Sequence, residues 1–119
     1  MDADKRFDEA FRYMNPSSIC FNLIKAEELM KELADEGYFY AYPFMYIFEI
    51  SNKNEEKAAE YLKKVRSING IVADNLIIVC SDQKSNEWNE AITKLKKLDF
   101  FHYYAIEYLV RSKLPRNMR

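Results

Sequence analysis

The sequence predicts one layered α/β (or α+β) domain over residues 1–119, with a three- or four-stranded aromatic-rich sheet packed against about four helices. Three observations predict it. Runs rich in aromatic and β-branched residues stand at 38–50, 75–80 and 100–110, and such residues suit a pleated surface. Between these runs the apolar residues recur with helical period, so the elements alternate. The chain has 119 residues, 49% of them apolar and 31% charged, which matches one globular core.

The first element is a helix over 3–14. Phe7, Ala10, Phe11 and Met14 share one face, Asp2 or Asp4 caps it, and Asn15-Pro16 ends it. Residues 18–23 read either as a short strand or as the start of the next helix. From 24 to 36 the pattern is helical, with Ala26, Leu29, Met30, Leu33 and Ala34 inward and six charged residues outward. Gly37 suits a left-handed C-terminal cap.

The run 38–50 is the strongest strand. Both of its alternating sets are apolar, as in a strand covered on both faces. Pro43 marks a bulge or a split in it. A helix over 53–67 follows, with Asn52 and Glu55 at capping-box spacing and Ala58, Tyr61, Leu62 and Val65 inward. Asn69-Gly70 marks its exit. Residues 75–80 read as a buried strand. Asp82 or Ser85 then caps a helix through 97, whose stripe is Trp88, Ala91, Ile92 and Leu95. Residues 100–110 read as a closing strand, with helix as the alternative. A short basic tail, 111–119, ends the chain.

Composition removes several function classes. With only Gly37 and Gly70, the chain has no glycine-rich phosphate loop or dinucleotide fingerprint. His102, Cys20 and Cys80 are too few and too scattered for a closed zinc site. Both cysteines lie in apolar runs and are expected as buried free thiols. The charged start lacks a signal-peptide pattern, and the longest apolar stretch is too short to span a bilayer. A soluble, cytoplasmic protein without membrane contact is expected. No metal and no cofactor is predicted.

The charge is polarised along the chain. Residues 1–60 hold 7 basic and 13 acidic residues, and residues 61–119 hold 11 and 6.

No motif specifies a reaction, and a non-enzymatic reading leads. In it the chain is a small interaction domain of inhibitor, immunity or adaptor type. Tyr38, Tyr40, Tyr42 and Tyr46 share one side of the expected strand and form the partner-binding face, with charge steering the encounter. A residual aromatic patch would also serve a homodimer. The alternative is a nucleic-acid-associated protein that grips phosphates with Lys94, Lys96, Lys97, Arg111, Lys113, Arg116 and Arg119. A second alternative is a metal-assisted enzyme with the strand-end carboxylates Glu49 and Asp82. His102, beside Tyr103, Tyr104 and Glu107, is a candidate general base in an enzyme.

Overall fold

Every regular element among the described residues is helical. The structure, a computed structural model, describes residues 2–81, 86–97 and 103–113. In order come α1 (Ala3–Met14), α2 (Leu23–Asp35), a 3-10 turn (Phe39–Ala41), α3 (Tyr42–Ser51), α4 (Glu55–Ile68), α5 (Gly70–Val79), α6 (Asn86–Lys97) and α7 (Tyr103–Lys113). The expected α/β or α+β class, with its aromatic sheet, is therefore overturned.

The amphipathic helices form as their periodicity predicts. Asp2 accepts from the Asp4 N–H at 3.0 Å and caps α1, which ends at Asn15. Asn22 caps α2 by accepting from the Lys25 N–H. At the other end of α2, Gly37 adopts φ +87°. Its N–H donates to Ala34 O, and the Tyr38 N–H reaches back to Leu33 O at 2.9 Å. This paired closure needs a left-handed residue, which glycine supplies without Cβ strain.

The run 38–50 is not a strand. It makes a 3-10 turn and then α3, which carries Pro43 in its first turn. A proline there sacrifices no helical hydrogen bond, because the first N–H groups of a helix have no intrahelical acceptor. All residues from Pro43 to Glu49 are buried. A segment apolar on every side suits a central helix as well as a covered strand. The helix satisfies its own backbone and needs no neighbouring strands.

Residues 75–80 fall in α5 and its C-cap for the same reason. Asn69, expected to mark an exit, also starts α5, because its side chain accepts from the N–H groups of Ile71 and Val72. The capping box proposed for Asn52 does not form. The N-cap of α4 is Asn54, without a side-chain cap bond, and Asn52 instead donates to Glu27 Oε2 on α2. In 100–110 the helical alternative holds from Tyr103 onward. The tail is helical through Lys113, and 114–119 lie outside the described residues.

Helices adjacent in sequence pack together in space, and α7 returns to α3 and α1. α3 lies at the centre, against α2, α4 and α7. One hydrophobic cluster draws residues from all seven α-helices of the described residues, including Phe7, Leu33, Phe48, Val65, Leu76, Leu95 and Leu109. The radius of gyration is 13.3 Å, close to the ~13–14 Å of a compact chain of this length. Trp88 pins α6 to the end of α5 by donating its indole N–H to Val79 O at 3.0 Å. Among the described residues, no helix is long and apolar enough to cross a membrane.

Candidate interaction surface

The closure at Gly37 turns the chain so that Tyr38 and Tyr40 fold onto Phe7 of α1. The Tyr38 hydroxyl donates to Asp4 Oδ1 at 2.6 Å, and its ring meets Phe7 edge-on at 5.2 Å. Tyr40 lies nearly parallel to Phe7 at 6.2 Å. Phe39 packs on Tyr40 at 4.3 Å yet remains 44% exposed. Burial and the Asp4 carboxylate together hold the Tyr38 phenol well above its usual range.

The other two predicted tyrosines go elsewhere. Tyr42 lies 6.2 Å from Tyr61 of α4, and the Lys64 ammonium sits over both rings, at 5.1 and 5.9 Å. Tyr46 is buried on α3, and burial pushes its phenol up to about 12. The four do not share a face, because the period-2 alternation that grouped them requires a strand. Tyr46 offers no contact surface. The partners the sequence reading missed are Phe39, Tyr61 and Lys64; Tyr61 and Lys64 stand at i, i+3 on α4 and so share a face of that helix, but their meeting with Tyr42 is a tertiary contact.

The ends of this patch are held electrostatically. The Arg6 guanidinium donates to both carboxylate oxygens of Glu36, at 2.8 and 2.6 Å, and lies 3.6 Å from Glu32. The Arg6 hydrogen bond and charge hold the Glu36 carboxyl below its usual value. These pairs clamp the end of α2 to α1 beneath the aromatic segment.

The basic residues of the alternative reading are divided. Lys94, Lys96 and Lys97 are exposed on α6. Lys94 and Lys97 line an open depression with Asn89, Glu90 and Thr93. Arg111 is engaged, pairing with Glu107 at 2.9 Å and stacking over Trp88 at 5.2 Å. Lys113 is half-buried in the last turn of α7. Arg116 and Arg119 lie outside the described residues.

Glu49 is buried on α3, not at a strand end. Asp82 and His102 lie outside the described residues. Cys20 is exposed, contrary to the expected buried thiol, because its apolar run is a loop and not a core strand. Cys80 is half-buried, and burial pushes its thiol up to about 12. Both are free cysteines. Among the described residues no three His, Cys, Asp or Glu side chains converge as metal ligands.

No family model, curated protein or solved structure matches this chain.

Proposed function

We propose that this chain is a non-enzymatic interaction domain that binds a protein partner through the aromatic segment around Tyr38, Phe39, Tyr40 and Tyr42. The observation that carries the reading is Phe39, held half-exposed on an ordered platform of Tyr40, Tyr38 and Phe7. Rigid aromatic side chains give large contact area at small entropic cost, and they dominate the energetics of protein interfaces. Charge steers the approach. α2 carries exposed Glu28, Glu32, Asp35 and Glu36, while α6 carries exposed Lys94, Lys96 and Lys97, so the partner meets unlike potentials on different faces. The free, exposed Cys20 suits a reducing compartment, and the reading places the protein in the cytoplasm.

The test is site-specific photo-crosslinking in the native lysate with a benzophenone residue at position 39, with and without nuclease. The expected result is one protein adduct that survives nuclease and disappears when Tyr40 is changed to Ala. Absence of any adduct overturns the reading. So does an adduct lost on nuclease treatment and on Lys94→Glu with Lys97→Glu, which transfers the function to the basic face of α6.

A further inference from the structure

The loop between α1 and α2 is built against the usual rule for a loop tip. Ile19 is fully exposed at 103% and Phe21 is 42% exposed, and Ile24, in the first turn of α2 beside them in sequence, is 74% exposed. The loop is not loosely held. The Ser17 N–H donates to Asn15 Oδ1, that of Ser18 to Asn15 O, and that of Cys20 to Ser18 Oγ. The Phe21 N–H donates to Ser18 O, and the Asn22 N–H to Tyr13 O. Pro16 has no N–H to satisfy. The tip thus presents apolar side chains while its backbone donors are largely satisfied inside the protein. That combination is what a medium poor in water demands of a polypeptide.

The charges around the tip point the same way. Residues 10–26 form the longest stretch of the chain without Asp or Glu, inside a half whose net charge is −6. The two charges within the stretch are Arg12 and Lys25, one on each side of the loop. Lys25 lies over the Tyr13 ring at 5.7 Å, and the Tyr13 hydroxyl donates to Glu9 Oε1 at 3.2 Å, one turn back in α1; an aromatic ring beside a cation is favoured at a bilayer surface. The acidic residues of α2 begin at Glu27 and lead away toward its far end, about 20 Å along a 13-residue helix.

From these observations we propose that the 15–22 loop and the first turn of α2 insert Ile19, Phe21 and Ile24 into an anionic lipid surface, with Arg12 and Lys25 facing the headgroups. A projecting tip with an isoleucine wholly exposed fits a yielding apolar medium. Arg12 and Lys25, the nearest charged residues in sequence on either side of Ile19, fit a negative one. Such a contact needs no spanning helix, and it uses residues distinct from the aromatic segment around Phe39.

The experiment is co-sedimentation of the full chain with vesicles of phosphatidylcholine and phosphatidylserine, beside vesicles of phosphatidylcholine alone. Insertion is followed independently by an environment-sensitive dye on Cys20, the exposed thiol. Wild type is expected to sediment with the anionic vesicles, with a blue shift of the dye. The pair Ile19→Ser and Phe21→Ser lowers the partition coefficient by roughly tenfold or more. Arg12→Gln with Lys25→Gln weakens binding to the anionic vesicles alone. All four positions are outside the buried core, and circular dichroism checks that the variants fold. Failure to sediment overturns the proposal, as does equal binding by the serine pair. Self-association or capture of a protein through the tip, with no vesicle binding, also overturns it and assigns the loop to that partner. Loss of the Phe39 crosslink with vesicle binding intact would sink the partner reading and leave this one standing.

Discussion

The Tyr38 hydroxyl reaches across 34 positions of sequence to donate a 2.6 Å hydrogen bond to Asp4 Oδ1. The bond ties the turn after α2 to the first turn of α1, beside the guanidinium–carboxylate pair of Arg6 and Glu36. It orients the Tyr38 ring against Phe7 and so sets the platform on which Phe39 stands.

Replacing Tyr38 by Phe keeps the ring and removes the bond. The expected loss of stability is about 1–2 kcal/mol, since the acceptor is a carboxylate but the pair is exposed to solvent. Urea unfolding measures it as a lower midpoint with an unchanged slope. An unchanged midpoint would show that the bond contributes nothing to the fold.

Phe48, fully buried on the central helix, is expected to matter more. Phe48→Ala leaves a cavity where α3 meets its neighbours and costs about 3–5 kcal/mol. That is a large part of the roughly 5–15 kcal/mol available to a domain. The emission of Trp88, the single tryptophan and buried in the native state, reports the transition.

Alkaline pH should unfold the protein through buried acids. The Tyr46 phenol is pushed up from 10.0 to about 12, and the Cys80 thiol from 9.0 to about 12, both by burial. In each case the fold favours the protonated form. Stability from these groups is therefore complete below pH 9 and falls as the pH rises toward 12. Denaturation curves across this range should show the decline, and Tyr46→Phe should make it shallower. A stability independent of pH in this window would contradict the assignment.

The two thiols should differ in reactivity. Cys20 is exposed, whereas Cys80 is half-buried and stays protonated at neutral pH. Because the thiolate is the reactive form, a disulfide reagent should titrate one thiol rapidly in the native protein and both in denaturant. Cys20→Ser should abolish the fast phase.

Much of the helical framework was legible in the residues. α1, α2, α4 and α6 each carry an apolar stripe and a charged outer face, and Gly37 announces its own left-handed cap. The strands expected at 38–50 and 75–80 failed because an evenly apolar run has no period to read, and short runs of this kind fit either element. Two local signals pointed the other way. Pro43 is at home in a first helical turn, and Asn69 caps the helix that follows it. The candidate surface inherited the error, since a face assigned with period 2 scatters when the backbone turns with period 3.6.

The amphipathic helices, the Gly37 closure and the division of charge between the halves of the chain follow from the order of residues alone. These depend on neighbours a few residues apart, through hydrogen bonds and side-chain spacing that any local segment carries with it. That Tyr46 is covered while Phe39 is half-open, that Cys20 lies outside, and that α3 packs among other helices all follow from how the helices come together. Burial of an evenly apolar segment is set by the elements that surround it, and those arrive from distant parts of the chain.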